Sequence, residues 1–282
     1  MSNSDPEPLP WDLPDLEKNT EGIWVPRDRS GRESVSYPDE GNDLCFGIED
    51  ESFWFAHRNR IILDSIRRNP PEGAILDVGG GNGMVTKRVS EEGYKSVLLE
   101  PGYPGCVNAR TRGVQTVICS TLEEAGFPNG SVRAFGLFDV LEHVEEDVDF
   151  LQSLLKAAAP ESYLYLTVPA LSSLWSETDV IAGHFRRYSI KTLKKAVSAS
   201  GWKVEQVSYF FTYAVLPIYM KRILKRKETS VDAIMQEEST GHTVSGILVT
   251  PALHLASFLD RILTRIAKGR LLGTSLIAVL KK

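Results

Sequence analysis

A short segment late in the chain concentrates side chains that can move protons and hold polar groups. Residues 183–188 read GHFRRY and place an imidazole, two guanidinium groups and a phenol within five consecutive positions. An imidazole exchanges protons near neutral pH, and a guanidinium group orients acidic or hydroxylated ligands. We predict that His184 is a general base and that Arg186, Arg187 and Tyr188 orient a substrate. The alternative is a solvated basic turn before a helix capped by Ser189.

A second segment, FDVLEH at residues 138–143, also joins carboxylates to an imidazole. His143 is the second candidate for the general base, the alternative being a histidine that orders the loop between a strand and a helix. Asp139, Glu142, His143 and His184 are also donor types that bind Mg²⁺ or Mn²⁺. A divalent-metal site therefore stays open as an alternative, although we assign no metal ligand among the predicted site residues.

The third segment, AILDVGGGNGMV at residues 74–85, has four glycines in five positions after an apolar run that ends in Asp77. Glycines between a strand and a helix let a ligand approach free backbone N–H groups. A nucleoside-triphosphate loop is excluded, because Met84 and Val85 stand where Lys and Ser or Thr are required. A dinucleotide loop is disfavoured, because Met84 is too bulky for the sixth position of G-x-G-x-x-G/A.

The hydrophobic pattern predicts alternating strands and helices around these three segments. Helices are predicted at 51–68, 82–92, 104–112, 145–159 and 190–199, and strands at 74–78, 95–100, 114–119, 131–138, 162–168, 203–209 and 273–280. Strand alternating with helix indicates a doubly wound, mostly parallel sheet. Each of the three segments follows a predicted strand, at the sheet edge where such folds keep their binding loops.

Taken in order, these segments resemble the class I S-adenosylmethionine-dependent methyltransferases. Residues 77–83 fit an acid followed by G-x-G-x-G, Glu100 ends the next strand, and FPNGS at 127–131 leads into FDVLEH. The resemblance covers about residues 51–209 and the final strand. It implies an α/β, doubly wound Rossmann-like sheet of seven mostly parallel strands with the last one antiparallel. A helical insertion precedes that strand, and an irregular N-terminal arm precedes the core.

The resemblance also implies a cofactor, S-adenosyl-L-methionine, and a reaction, methyl transfer to a small molecule. Glu100 would hold the ribose hydroxyls, Asp77 would order the loop or contact the methionine ammonium, and Arg58 would pair with the methionine carboxylate or an acidic substrate. The other predicted cofactor-binding residues are Gly79, Gly80, Gly81, Gly83, Pro101, Thr121, Leu122 and Asp139. Ser120 stands near the place where the family often has an aspartate for the adenine. The pattern GHFRRY resembles a subgroup that acts on sugars or cell-envelope glycans.

Composition limits the partners and the compartment. The chain of 282 residues has a net charge of −5, which gives no basis for nucleic-acid binding. Cys45, Cys106 and Cys119 lie far apart, which argues against a disulfide framework and a structural zinc site and favours a cytoplasmic setting. Residues 1–43 form an acidic, proline-rich arm that we expect to be flexible. The methyltransferase core is predicted at 44–209 and 273–282.

The segment 210–272 interrupts the alternation with two apolar helical stretches, at about 211–226 and 244–268. It is predicted to be a core layer or dimer interface, a lid over an apolar substrate, or a contact with a membrane surface through the basic run at 221–227. Monomer and homodimer both stay open, and a membrane contact would favour a lipid-linked acceptor. The alternatives to a methyltransferase are a non-catalytic cofactor-binding partner protein and an NAD-dependent dehydrogenase.

Overall fold

A single sheet of nine strands runs through the described part of the chain. The computed structural model describes residues 9–28, 46–47, 49–50, 52–224, 249–267 and 270–282. Expectations for residues 1–8, most of 29–51 and 225–248, which include part of the arm and the polar loop of the insertion, lie outside the described residues.

The strands, in chain order, are β1 (Leu16–Lys18), β2 (Trp24–Pro26), β3 (Ile75–Val78), β4 (Ser96–Leu99), β5 (Val117–Ile118), β6 (Val132–Phe138), β7 (Ala158–Pro169), β8 (Lys203–Phe210) and β9 (Ser275–Lys281). Their order across the sheet is β1-β2-β5-β4-β3-β6-β7-β9-β8. Strands β2 to β7 pair in parallel, whereas β9 is antiparallel to both β7 and β8. The mostly parallel sheet with an antiparallel last strand is confirmed.

The described helices cover both faces of this sheet. They are α1 (Phe53–Arg68), α2 (Met84–Glu91), α3 (Tyr103–Arg112), α4 (Leu122–Ala125), α5 (Asp147–Ala157), α6 (Glu177–Ile181), α7 (Ile190–Ser200), α8 (Val215–Leu224) and α9 (Val249–Ile266). One apolar cluster joins α5 and α7 to the sheet, and a second joins α1 and α2 to its other face. Burial on both faces is what a doubly wound fold requires.

The strand count differs from the seven predicted, because β1 and β2 extend the sheet beyond β5. Ile23 and Val25 are buried, and the amide of Cys119 donates to the carbonyl oxygen of Trp24 at 2.7 Å. These contacts cover the backbone of β5, which would otherwise be an open sheet edge. Each of the two strands has three residues, too few for a hydrophobic period to show in an acidic, proline-rich sequence.

Helices α8 and α9 lie in the segment that interrupts the alternation of strands and helices. Both pack against the 3₁₀ turn Thr212–Ala214, and α9 also packs on β8. The residues that α9 turns inward are polar, namely Ser257, Asp260 and Thr264. Among the described residues, no helix combines the length and the apolar character needed to cross a bilayer.

Candidate active site

The glycine segment forms a cradle of bare backbone between β3 and α2. Gly79 has φ +67°, and a Cβ added to it would lie 2.9 Å from a methyl carbon of Val140. A Cβ on Gly80 would lie 2.3 Å from Leu98 Cδ1 and 2.8 Å from Asp77 Oδ2. Gly81 and Gly83 also have positive φ. Side chains are sterically excluded here, so a ligand at this edge meets the peptide backbone.

Asp77 is buried beneath this cradle. Its Oδ2 atom accepts a hydrogen bond from Thr86 Oγ1 at 2.6 Å, which ties the end of β3 to α2. Its Oδ1 atom is buried without a hydrogen-bond partner. Burial raises the pKa of this carboxyl to about 6. One oxygen therefore orders the loop, and the other is a buried acceptor without a hydrogen-bond partner; its contact with an ammonium group stays a prediction.

Glu100, at the end of β4, fixes the backbone of two neighbouring loops. Its Oε2 atom accepts from the amide of Gly81 at 2.9 Å, and its Oε1 atom accepts from the amide of Gly102 at 2.7 Å. The predicted contact with ribose hydroxyls is compatible with this geometry and stays a prediction.

The segment that follows β5 brings the predicted adenine-side residues together. Thr121 caps α4, with its Oγ1 accepting from the amide of Glu124 at 3.2 Å, and Leu122 is buried. The Cys119 thiol donates to the carbonyl oxygen of Pro101 at 3.7 Å, which joins this segment to the loop after β4. Ser120 Oγ is buried without a hydrogen-bond partner. A contact of Ser120 with the adenine stays a prediction.

Asp139 lies just after β6 and pairs with Arg58 of α1. Its backbone is left-handed, with φ +57°, which an aspartate tolerates at a small cost. Thr167 Oγ1 donates to Asp139 Oδ1 at 3.0 Å, and Arg58 Nη1 forms an ion pair with Oδ2. Arg58 Nε is buried without a hydrogen-bond partner. Helix α1 therefore holds a cation at the same sheet edge as the glycine cradle.

His143 and His184, hereafter the histidine pair, come together although 40 residues separate them. Their ring centroids lie 4.7 Å apart, at an interplanar angle of 80°. The amide of Phe185 donates to the carbonyl oxygen of Glu142 at 2.7 Å, which joins the GHFRRY loop to the 3₁₀ turn Leu141–His143. The two candidate bases predicted from separate segments thus belong to one site.

The two rings have different electrostatic surroundings. Burial, assisted by the neighbouring His184, lowers the pKa of the His143 imidazole to about 4. His184 Nδ1 lies 3.0 Å from Asp179 Oδ1. Burial alone would raise the pKa of Asp179, but the bonds from His184 and Arg187 outweigh it and lower that pKa to about 2. Asp179 is therefore ionised at neutral pH and holds the Nδ1–H tautomer of His184.

Glu142 provides a buried carboxylate beside the histidine pair. Its Oε2 atom has no hydrogen-bond partner, and burial followed by the charge of Asp139 raises its pKa well above the usual range. One ligand atom each from Glu142, His143 and His184 fall within 4.8 Å of one another. This donor set fits a divalent cation, whose charge would stabilise the ionised carboxylate.

The three residues predicted to orient a substrate are bonded within the protein. Arg187 Nε donates to Asp179 Oδ1 at 2.7 Å. Arg186 pairs with Asp147 at 3.1 Å, and the buried Tyr188 hydroxyl donates to the same carboxylate at 2.8 Å. Substrate contact by these side chains stays a prediction, but their hydrogen bonds fix the loop that carries His184.

Sequence reasoning missed Asp179, Thr86 and Thr167, which orient three of the predicted site residues. The sequence does contain a signal for Asp179. Residues 176–179 read SETD, a capping box in which the Asp179 carboxylate accepts from the amide of Ser176 at 2.8 Å. That pattern predicts the short helix α6. Asp179 lies in this helix, five residues before His184 in the sequence. For the two threonines, no local pattern reveals the partner.

Comparison with known proteins identifies the family of this chain. The sequence profile of a family described as "Methyltransferase domain" matches residues 52–207. A probable S-adenosylmethionine-dependent methyltransferase of Mycolicibacterium smegmatis is 20% identical over 171 residues, which span 60% of this chain and 66% of that protein, just under two thirds.

Two solved structures share the fold at low sequence identity. Phosphoethanolamine N-methyltransferase 2 of Haemonchus contortus, in complex with S-adenosyl-L-methionine, is 15% identical with a TM-score of 0.55, covering 92% of this chain and 62% of that one. A Haloferax volcanii protein described as a methyltransferase, in complex with the Trm112 methyltransferase activator, is 14% identical with a TM-score of 0.57, covering 88% and 97%.

Proposed function

Since the chain belongs to the class I S-adenosylmethionine-dependent methyltransferases, we propose that it transfers a methyl group to a small-molecule acceptor whose proton is taken by His184. The observation that carries the choice of base is the Asp179–His184 hydrogen bond. With Nδ1–H directed at an ionised carboxylate, the lone pair lies on Nε2 of the imidazole. That nitrogen can accept a proton from a hydroxyl or an amine.

The cofactor supplies an electrophilic methyl group when bound, and the residues of the candidate site fit it. The cradle of Gly79 and Gly80 leaves backbone open to the ligand, and Asp77 Oδ1 is a buried acceptor without a partner. Glu100 fixes the loop amides of Gly81 and Gly102 beside this cradle. Because the donor is already activated, this chain contributes mainly by placing the nucleophile in line and removing its proton.

His143 has a different part in this proposal. An imidazole with a pKa of about 4 is neutral at physiological pH but is a weak proton acceptor. It therefore shapes the acceptor side of the site next to His184 and does not take the proton. The loop that carries His184 is fixed by the internal bonds of Arg186, Arg187 and Tyr188. Arg58 donates its Nε–H to an anionic group of the cofactor or the acceptor.

The acceptor class that we propose is a sugar or a lipid-linked glycan. The support is a polar, histidine-lined acceptor side next to exposed apolar side chains at Trp175 and Phe185. The proposed setting is the cytoplasm, with residues 44–209 and 273–282 as the catalytic core. Helices α8 and α9 belong to a separate surface element.

Labelled cofactor tests the activity directly. The purified chain is incubated with methyl-tritiated S-adenosylmethionine and separate sugar, glycolipid, nucleic-acid and protein fractions. We expect the label to appear in the sugar or glycolipid fraction, and we expect this labelling to be lost in the His184→Asn variant. Cofactor binding by calorimetry without turnover in any fraction would instead favour a non-catalytic partner protein.

A second candidate is metal-assisted methyl transfer, which the cluster of Glu142, His143 and His184 supports. The buried Glu142 oxygen without a partner is the specific observation, because an unpaired carboxylate in that position is costly unless protonated or bound to a cation. A bound ion would be held by these three side chains and would polarise an acceptor oxygen.

Calorimetry with Mn²⁺ or Mg²⁺ separates the two candidates without reference to turnover. If transfer is metal-assisted, we expect saturable binding of one ion. Glu142→Gln should abolish this binding, whereas the exposed control variant Glu123→Gln should preserve it. Full activity after dialysis against EDTA, with no heat of binding for either ion, would exclude it.

A further inference from the structure

Helix α9 is amphipathic with its polar side turned toward the protein. The inward residues Ser257 and Asp260 are only 2% and 1% exposed, whereas the outward residue Phe258 is 58% exposed. The other outward residues are Leu255, Leu259, Ile262 and Ile266. A surface helix of a globular protein ordinarily has the opposite arrangement, with its apolar stripe on the core.

A buried polar network fixes this orientation. Asp260 accepts hydrogen bonds from the amides of Phe211 at 2.7 Å and Thr212 at 2.9 Å, and it lies 2.8 Å from His57 Nε2. Ser257 Oγ bonds the other ring nitrogen of His57. These Ser, His and Asp side chains are buried beyond the reach of a reactant, so they act as an anchor. Rotating α9 to hide its apolar side would leave this network unpaired.

The exposed apolar surface continues onto neighbouring elements. Helix α8, which packs on the same turn Thr212–Ala214, exposes Leu216, Tyr219 and Met220. We call these three residues, together with the five outward residues of α9, the apolar face. Helix α8 also packs against the 3₁₀ turn Ser172–Leu174, next to the exposed Trp175 and ahead of the loop that carries His184.

The sequence around the apolar face is strongly basic in an otherwise acidic chain. Residues 211–227 contain five basic residues and no acidic one. Residues 249–272 contain four basic residues, of which Arg261 pairs with Asp64, and one acidic residue, the buried Asp260. The whole chain has a net charge of −5. Two copies meeting through this face would bring like charges together, which disfavours a symmetric dimer and favours an anionic partner.

We propose that the apolar face docks on the surface of a membrane that contains anionic lipid. Leu, Phe and Ile side chains enter the boundary between head groups and acyl chains, and the exposed Arg265 and Arg270 meet lipid phosphates. Helix α9 lies in the plane of the interface. If the proposed function holds, the acceptor that the histidine pair faces is carried by a lipid.

Vesicle flotation with the full chain tests this docking. We expect binding to vesicles of phosphatidylcholine with about 30% phosphatidylglycerol, and at least about tenfold weaker partitioning into phosphatidylcholine alone. Phe258→Ser with Leu259→Ser should lower partitioning by about tenfold or more, because both side chains are exposed and would enter the lipid. Melting temperature and cofactor binding of this variant should match the wild type.

Charge reversal provides the matched control. Arg265→Glu should weaken binding to the anionic vesicles, whereas Arg133→Glu, at the start of β6 and also exposed, should leave it unchanged. The proposal would be overturned if the wild-type chain did not bind the anionic vesicles at low salt. It would also be overturned if the chain formed a dimer that Phe258→Ser with Leu259→Ser dissociates. Either result leaves methyl transfer to a soluble acceptor intact, so this failure is distinct from failure of the proposed activity.

Discussion

The ring centroids of His143 and His184 lie 4.7 Å apart, and Nδ1 of His184 is hydrogen-bonded to the carboxylate of Asp179 at 3.0 Å. The two imidazoles therefore have different surroundings. Burial depresses the basicity of His143, whereas Asp179 fixes the tautomer of His184. This asymmetry leads to distinct expectations for the two histidines.

Replacing each histidine should affect turnover unequally. We expect His184→Asn to lower kcat by about a hundredfold or more, the usual contribution of a general base. His143→Asn should lower kcat by less than about tenfold, with cofactor affinity unchanged in both variants. The measurement is methyl transfer at saturating cofactor, with affinity from calorimetry. Equal losses in the two variants would contradict a single base and would favour metal ligation by both rings.

Asp179→Asn should impair turnover while the cofactor still binds. The amide lacks the charge that holds the His184 Nδ1–H and the Arg187 guanidinium, so the base loses its fixed tautomer. We expect kcat to fall by about tenfold or more, with a dissociation constant for S-adenosylhomocysteine within about twofold of the wild type. Asp149→Asn, at an exposed position of helix α5, is the control. A loss of cofactor affinity without a loss of kcat would show that Asp179 acts elsewhere.

Asp77→Asn should stabilise the ligand-free protein at neutral and higher pH. Burial raises the pKa of this carboxyl from 3.8 to about 6, so folding disfavours its ionised form and stability falls as pH rises between those values. Above about pH 6 the cost is roughly 3 kcal/mol, and the amide avoids it while still accepting from Thr86. The difference in the free energy of unfolding should vanish below about pH 4.

The same substitution should weaken cofactor binding, because a neutral amide loses the attraction between the carboxylate and an ammonium group. Urea unfolding at several pH values and calorimetry with S-adenosylmethionine measure the two effects. The exposed variant Asp12→Asn is the control and should change neither quantity. A variant that is less stable than the wild type at about pH 8 would contradict the desolvation argument.

Tyr188→Phe should affect stability more than catalysis. The Tyr188 hydroxyl is buried and bonds Asp147, which also pairs with Arg186, so its removal loses one internal hydrogen bond. Because the acceptor is a carboxylate, we expect a loss of about 1.5–3 kcal/mol in the free energy of unfolding and less than about a twofold change in KM for the acceptor substrate. Tyr219→Phe, on exposed helix α8, should change neither. A large rise in KM would restore Tyr188 as a substrate contact.

Local sequence patterns were enough to predict most of the core fold. The alternation of strands and helices and the glycines at 79–83 were enough to predict the parallel sheet and its cradle, because each depends on a short stretch of sequence. The pairing of β2 with β5 and the inward polar side of α9 were not predicted. Both depend on partners distant in sequence, such as His57 for Asp260, and a hydrophobic period shows which residues share a face without showing which face is buried.

The candidate site was likewise predicted from the sequence only in part. Asp77, Glu100 and the two histidines were found from their positions after strands, but the difference between the histidines was not, because it arises from burial and from the Asp179 carboxylate. The bonds that occupy Arg186 and Tyr188 were equally hidden, since their partner Asp147 lies about forty residues before them. Arg187 instead bonds Asp179, whose pairing was missed although it lies only eight residues earlier.

The most direct test of the account is a crystal structure with S-adenosylhomocysteine, measuring the distance from its sulfur to His184 Nε2. An acceptor atom roughly 3 Å from the methyl carbon and within hydrogen-bond reach of the base requires a separation of about 8 Å or less. We predict such a distance, with Nε2 facing the sulfur across an open space. A separation beyond about 12 Å, or a ring turned away behind Asp139 and Arg58, would contradict His184 as the base.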